Sequence, residues 1–321
     1  MRYRTLGRTG FEVSEIGFGA WGIGGDWWKG EDDQESLESM RRALELGVNF
    51  FDTALGYGHS EQLIGQALRD WRGCVYVATK MPPKNYTWPA APGTPLRETF
   101  PKEWIIECTE KSLKRLGREQ IDLQQFHVWL DEWANQDEWK EAALELKRQG
   151  KVRAFGVSLN FPLEPDYGAQ AIASGLIDVC QVVYNIYEQT PRHALFPLAR
   201  KEQIGIIARA PLDEGALSGK ITPETVFPAG SFQESYFRGD RRCEVWEHAQ
   251  ALDLLLRGDV ESLPEAALRF CLSEPVVSTV IVGMRQPEHA AMNVKASDKG
   301  PLPTEDLERL KARAWEHNFW V

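Results

Sequence analysis

The chain has 321 residues, 43% of them hydrophobic and 26% charged, with 37 basic against 47 acidic side chains and a formal net charge of −10. That acidic balance argues against a nucleic-acid surface or an anionic membrane as the main partner, although it leaves room for a local basic pocket. Five cysteines, at 74, 108, 180, 243 and 271, are odd in number, far apart and without a CxxC pair, so they read as reduced thiols of a cytoplasmic protein and not as a disulfide framework or zinc site.

The N-terminal MRYRTLGRTGFEV has no apolar core of signal-peptide length, and no run approaches the ~18 apolar residues of a membrane span, so neither secretion nor membrane insertion is expected. Arg2–Leu6 and Phe11–Val13 alternate apolar and polar residues around Gly7-Arg8-Thr9-Gly10, which predicts a hairpin. A strand follows at Ile16–Gly19, then a glycine-rich loop, then a helix over Gln34–Leu46 with Leu37, Met40, Ala43 and Leu44 at helical spacing. The strand Val48–Asp52 leads to a helix at Ser60–Leu68, and Val75–Thr79, with Lys80 at its tip, leads through a long loop to a helix at Lys102–Leu116. Ile121–Phe126 ends on His127 and precedes a helix at Glu138–Gln149. Further strands are expected at Ala154–Val157, Val179–Val183, Gly205–Ala208 and Thr279–Val282. Helices are expected at Ala194–Lys201, Cys243–Leu256, Pro264–Cys271, Pro287–Ala296 and from Thr304 to about His317.

Eight strands after the hairpin, nearly all separated by helices, predict an α/β fold: a (β/α)8 TIM barrel with an N-terminal β-hairpin and extra helices after strand seven and at the C-terminus. Nothing in the chain resembles a linker, so residues 1–321 are expected to form one domain. A doubly wound open sheet is the alternative. Against it, the nearest approach to GxGxxG, Gly17 to Gly22, runs into more glycine and tryptophan where a dinucleotide-binding helix should begin.

In a barrel the C-terminal strand ends carry the chemistry. There Asp52, Lys80 and His127 would converge from strands two, three and four, with Tyr57 on the loop after strand two. Taken singly, each is as readily a strand terminus or a packed turn residue. Together they suit carbonyl reduction, because hydride addition places negative charge on oxygen and needs a proton donor within hydrogen-bond reach. Tyr57 would be that donor, Lys80 the ammonium that lowers its pKa, Asp52 the anchor of Lys80, and His127 a neutral donor that orients the carbonyl. Six scattered histidines, no two of which form a helical i, i+4 pair with a carboxylate, give no metal motif.

The blocks IGFGAWGIG, NFFDTALGYGHSE, VYVATK, DLQQFH, FGVSLN, IARAPLDEGALSGK and VIVGMRQPEHAAMN, in that order, resemble the aldo-keto reductase superfamily over almost the whole chain. The resemblance implies reversible reduction of an aldehyde, ketone or sugar with NADPH, or NADH, through Asp52, Tyr57, Lys80 and His127. It implies that Ser158, Asn160 and Gln181 hold the nicotinamide carboxamide, with Asn160 displaced from the usual Ser-Asn pair by Leu159. Pro211, Leu212, Gly215, Leu217, Ser218 and Lys220 would wrap the pyrophosphate. Gly283, Met284, Arg285, His289 and Asn293 would meet the adenosine, and Ala20 and Trp21 the cofactor's edge and the carbonyl pocket.

Three departures stand out. Arg209 occupies a position where relatives set an aromatic ring against the nicotinamide, and its charge is expected to favour the reduced, neutral cofactor over the cationic oxidised one. His289 replaces an arginine and Met292 a glutamate of the adenosine site, which leaves Arg285 as the expected partner of a 2′-phosphate. The proline-rich loop Met81–Pro101 emerges beside Lys80, so Tyr86 and Trp88, together with Trp129, are expected to wall the substrate pocket. Trp27 and Trp28 fit either packing or the pocket, and so does the C-terminal Phe319-Trp320. Two other readings remain open at this level: a cofactor-binding regulatory module with little turnover, and a Schiff-base aldolase on Lys80.

Overall fold

The apolar runs of the sequence form strands whose side chains alternate between the inside of one closed barrel and the helices around it. The computed structural model describes every residue except Asp26, Pro162, Leu163, Pro165, Asp166 and Val321. A two-stranded antiparallel hairpin comes first, β1 (Tyr3–Thr5) and β2 (Glu12–Ser14). The barrel strands are β3 (Ile16–Gly19), β4 (Phe50–Asp52), β5 (Tyr76–Met81), β6 (Ile121–Phe126), β7 (Val152–Ser158), β8 (Val179–Val183), β9 (Gly205–Arg209) and β10 (Val277–Gly283). All eight run parallel, each paired with its neighbour in chain order, and β10 returns to β3 to close the ring.

The outer helices are α1 (Asp33–Glu45), α2 (Ser60–Leu68), α3 (Leu96–Thr99), α4 (Lys102–Leu116), α5 (Asp137–Arg148), α6 (Ala169–Ala173) and α7 (Leu195–Lys201). Between β9 and β10 lie α8 (Phe232–Tyr236), α9 (Arg241–Gln250) and α10 (Leu263–Leu272), and β10 is followed by α11 (Pro287–Lys299) and α12 (Thr304–Lys311). Local chemistry sets several ends. Asp32 caps α1 by accepting from the Glu35 amide at 2.8 Å, Ser262 caps α10, and Gly117 closes α4 in the left-handed region that glycine tolerates.

The barrel and the extra helices match the expectation from sequence; several boundaries do not. The short α6 was not expected, and α9 stops at Gln250. The last helix ends at Lys311, well before His317, because Trp315 is pulled into a stack between His248 (3.8 Å) and His317 (4.0 Å) and its amide donates to the Tyr187 carbonyl. Tertiary packing there outweighs helical propensity.

The barrel's N-terminal mouth is plugged. Phe50, Ala78, Leu123, Ala154, Val179 and Ile207 point inward from successive strands and meet Leu6, Phe11 and Val13 of the hairpin in one apolar cluster. Contact is close enough that a Cβ on Gly205 would lie 2.7 Å from the Leu6 Cδ1. The bottom of the barrel is therefore mainly apolar, with Thr279 Oγ1 buried there beside Phe50. Leu6→Ala should destabilise the fold by about 2–5 kcal/mol in urea unfolding, from lost burial and an unfilled cavity, and should leave ligand affinity at the far mouth unchanged.

Candidate active site

The two-residue period that turns Phe50 inward also turns Asp52 inward, one layer nearer the C-terminal mouth. On β5 the same rule carries from Ala78 to Lys80. Across the shared interior Lys80 Nζ donates to both Asp52 oxygens, at 2.6 and 2.5 Å, and to the Thr53 carbonyl at 2.9 Å. Both side chains are essentially sealed, 2% and 1% exposed. Burial pushes the Asp52 carboxyl up and the Lys80 ammonium down, and each is opposed first by the partner's charge. Gln181 Nε2 adds a hydrogen bond to Asp52 at 2.8 Å and another to Gln125 at 3.1 Å. Gln181 thus braces the ion pair with its amide donors, a role the sequence reading had not given it.

Tyr57 stands over this pair. Lys80 Nζ lies 5.0 Å from the centre of its ring, and its hydroxyl is 3.4 Å from His127 Nε2. The loop that carries Tyr57 is fixed by a close backbone approach: Gly58 has φ +54°, a Cβ there would fall 1.9 Å from the Gly24 carbonyl, and the His59 amide donates to that carbonyl. Burial drives the His127 pKa well below the usual imidazole value, with the Lys80 and Arg209 charges adding to the effect, so the ring is neutral. Among the described residues its Nδ1 is buried without a partner.

The expected tuning of Tyr57 by Lys80 is not what this geometry delivers. Among the described residues Lys80 gives no hydrogen bond to the phenol; its donors are spent on Asp52 and Thr53. Burial, and then the Asp52 charge, raise the Tyr57 pKa, and Arg209 is the cation that opposes them. The phenol is held protonated.

Arg209, at the end of β9, belongs to the same neighbourhood. Its Nη2 donates to the Leu159 carbonyl at 3.3 Å, while its Nε is buried with no partner among the described residues. Ser158 is buried at the tip of β7, opposite Gln181 in the strand register. Asn160 instead turns its amide to the Trp129 carbonyl at 3.2 Å. The loop after β9 is unusual: Ala210, Asp213 and Glu214 all have φ near +50°, ahead of Gly215 at +112°. Left-handed non-glycine residues cost about 1–3 kcal/mol each, so the loop needs an outside restraint. It has one in the C-terminal tail, whose His317 Nε2 meets Asp213 at 3.0 Å with both groups buried. Pro211, Leu217 and Leu212 pack this loop; Ser218 Oγ accepts from the Lys220 amide at 3.2 Å, and the Lys220 side chain is exposed.

Beside it, at the start of α11, three basic groups share one electrostatic neighbourhood. Burial lowers the His289 pKa, and the Lys220 and Arg285 cations lower it further. Arg285 donates to the Lys29 carbonyl and faces Glu31, whose carboxyl is raised by burial and lowered by Arg285. The Met284 side chain is buried, and its carbonyl accepts from Ser39 at 2.7 Å, while Asn293 donates to the Gly283 carbonyl. A Cβ on Gly283 would meet nothing within 4 Å, and one on Gly215 only Ile221 at 3.9 Å. The backbone is thus open at both turns. Open turns, a buried Arg209 Nε–H with no partner among the described residues and a basic cluster suit a dinucleotide laid from Tyr57 toward α11.

The aromatic walls differ from expectation. Trp88 is 44% exposed and sits edge-on to His127 at 5.8 Å, with the more exposed Tyr86 beside it. Trp129 does not reach the site. It is fully buried among Phe126, Trp133 and Trp139, and its indole donates to Asp131. The opposite wall is Trp21, 6.4 Å from the Tyr57 ring and packed on Trp28, Phe232 and Trp320. Ala20 is buried beneath it, donating to the Asp52 carbonyl and accepting from Ser60. Phe232 was missed: it starts the short helix α8, and no periodicity or motif marks a side chain that the long excursion between β9 and β10 brings against Trp21.

A family model described as aldo/keto reductase family matches residues 15–314. The aldo-keto reductase YhdN of Bacillus subtilis (strain 168) is 33% identical over 294 residues, which cover 89% of this chain and 86% of that one. Two solved structures share the architecture. Aldo-keto reductase AKR11C1 from Bacillus halodurans in its holo form superposes with a TM-score of 0.77 at 29% identity, over 98% and 96% of the two chains. The glycerol dehydrogenase AKR11B4 from Gluconobacter oxydans gives 0.76 at 27% identity, over 94% and 92%.

Removing one partner of the buried pair strands the other, so Asp52→Ala should destabilise the protein by about 3–5 kcal/mol. The double substitution Asp52→Ala with Lys80→Met should cost markedly less than the two single losses summed. Chemical unfolding of all four proteins measures the difference.

Proposed function

Because the chain belongs to the aldo/keto reductase family, and is thereby an NAD(P)H-dependent oxidoreductase that interconverts a carbonyl and its alcohol by hydride transfer, we propose that Asp52, Tyr57, Lys80 and His127 are its catalytic residues. The observation that carries this reading is the meeting of the Tyr57 hydroxyl and His127 Nε2 at 3.4 Å above a sealed Lys80–Asp52 pair. The nicotinamide, when bound, supplies the hydride. Tyr57 gives its proton to the carbonyl oxygen as negative charge develops there, and takes it back when the alcohol is oxidised. Neutral His127 donates a ring N–H to the same oxygen and aims it at the phenol; which nitrogen carries that hydrogen is assigned by this role. Lys80 and Asp52, locked together, form the sealed floor beneath the Tyr57 ring, and Arg209 is the cation that acts on the phenol.

The cofactor is held by Ser158, Asn160, Gln181 and Arg209 around the nicotinamide, by the 211–220 loop at the pyrophosphate, and by residues 283–293 at the adenosine. Lys220 and Arg285, with His289 beside them, favour NADPH over NADH, since an anionic 2′-phosphate would relieve the repulsion between these two cations and accept charge-assisted hydrogen bonds from them. The substrate is a small carbonyl compound or alcohol received between Trp88 and Trp21, and the whole chain 1–321 works as one unit. Five free cysteines suit a reducing cytoplasm. No helix of the described residues is long and apolar enough to cross a membrane.

Two measurements test the assignment. Tyr57→Phe should lose about 100-fold or more in kcat for carbonyl reduction while the cofactor dissociation constant stays within about twofold; near-normal kcat would remove Tyr57 from the chemistry. Arg285→Ala should weaken NADPH binding by about tenfold, the loss of one charge-assisted contact, and leave NADH binding nearly unchanged.

A further inference from the structure

We propose that the tail after α12 is a proton-operated latch on the loop that follows β9 and wraps the cofactor. With a hydrogen on each ring nitrogen of His317 the tail pins that loop; when one of the two is lost, the loop loosens and the cofactor exchanges faster. The latch presupposes that residues 211–220 lie at the pyrophosphate, the reading given under Proposed function.

Both nitrogens of the His317 ring face oxygen. Nδ1 lies 2.8 Å from the Trp315 carbonyl and Nε2 lies 3.0 Å from Asp213 Oδ2, with the imidazole 7% and the carboxylate 8% exposed. A carbonyl oxygen only accepts, so Nδ1 carries a hydrogen; an ionised carboxylate also only accepts, so Nε2 carries one too. A neutral ring keeps both contacts only if Asp213 itself takes up the proton. In either form the closed contact holds one proton more than a neutral imidazole beside a carboxylate. The ring also stacks on Trp315 at 4.0 Å, an aromatic face that attracts a cation, and His248 stacks on the other face at 3.8 Å.

His317 reaches Asp213 from a seated tail. The Trp315 amide donates to the Tyr187 carbonyl at 3.0 Å, and beyond His317 the Arg241 guanidinium donates to the Phe319 carbonyl at 2.8 Å and lies over the Phe319 ring. The loop that His317 meets holds Ala210, Asp213 and Glu214 in the left-handed region, conformations that are unfavourable without a restraint. Asn185 ties the start of this loop by donating to the Ala210 carbonyl at 3.0 Å. The freedom gained on unlatching therefore falls on the residues after Ala210, which are those set against the pyrophosphate.

The groups facing His317 are Asp213 in the loop after β9, Tyr187 and Glu188 in the connection after β8, and His248 on α9. Behind them, Glu244, Glu247 and Arg313 act on His248, and Glu214 and Tyr236 share the field of Asp213. Burial lowers the His317 pKa, but the Asp213 hydrogen bond and charge, the Trp315 carbonyl and Glu188 together raise it above the ordinary imidazole value. The latch is thus complete below that ordinary value and opens as pH rises through the raised one. His248 is lowered, and so is His289 at the adenosine end, while Tyr187 and Tyr236 are raised out of range. Glu214, pushed up to about 8 by burial and by Asp213, titrates nearby and is separated by substitution.

The test is the rate at which NADPH leaves the protein, followed by stopped-flow fluorescence when the NADPH complex is mixed with excess NADP⁺ between pH 6 and pH 9. For the unmodified protein the rate should rise by about tenfold across this range, one pKa unit of coupling. In His317→Ala it should be fast and flat. In Asp213→Asn it should be slow and flat, because an amide can turn either its oxygen or its NH2 to Nε2 and so meets the ring in both states. In Glu214→Gln the rise should remain. A flat rate in the unmodified protein, a rise that persists in His317→Ala or Asp213→Asn, or one that vanishes in Glu214→Gln overturns the latch and leaves the cofactor reading intact. Failure of the unmodified protein to bind NADPH overturns both.

Discussion

The constraint on which the site depends is the ion pair of Lys80 and Asp52 inside the barrel. Two opposite charges that are almost fully buried survive only with close geometry and with their remaining hydrogen-bonding capacity filled. Lys80 meets both Asp52 oxygens and a backbone carbonyl, and Gln181 fills a further acceptor position. The pair can exist because the hairpin plug and the apolar layer above it exclude water from below, and β4 and β5 are adjacent in register. Tyr57 rides on the result, with an ammonium 5.0 Å under its ring and a neutral imidazole beside its hydroxyl.

How far this was legible in the sequence follows from the kind of signal each residue carries. Strands have a period of two and end on recognisable turns, so Asp52, Lys80, His127, Ser158 and Arg209 could be set at strand tips by counting. Gln181 was legible as a position but not as a function, because which neighbour takes its amide hydrogens depends on strands far away in the chain. Trp129 shows the converse failure. Two residues beyond His127 it resembled a pocket residue, yet the chain turns it back into a core of Phe126, Trp133 and Trp139.

Irregular segments were the least legible. Trp320 reaches Trp21 only because helix α12 ends early and the tail crosses the barrel mouth, an outcome of stacking by Trp315 and not of any local preference. Glu214 sits in a motif whose glycines and leucines attracted attention, while its own side chain had no periodic neighbour to mark it. In both cases the position comes from tertiary contacts that offset local strain.

The tail and the loop after β9 are in fact one device. Three left-handed non-glycine residues are unfavourable alone, and the buried His317–Asp213 contact holds the backbone that they need. His317 is protonated more readily in the fold than in water because Asp213 outweighs its burial, so this contribution is complete below the ordinary imidazole value and fades as pH rises through the raised one. The loop that this contact holds begins at Ala210, directly after Arg209 at the end of β9, so the seating of the tail bears on the mouth of the barrel. The Lys80–Asp52 pair deeper inside is sealed, and the contact that titrates lies at the rim.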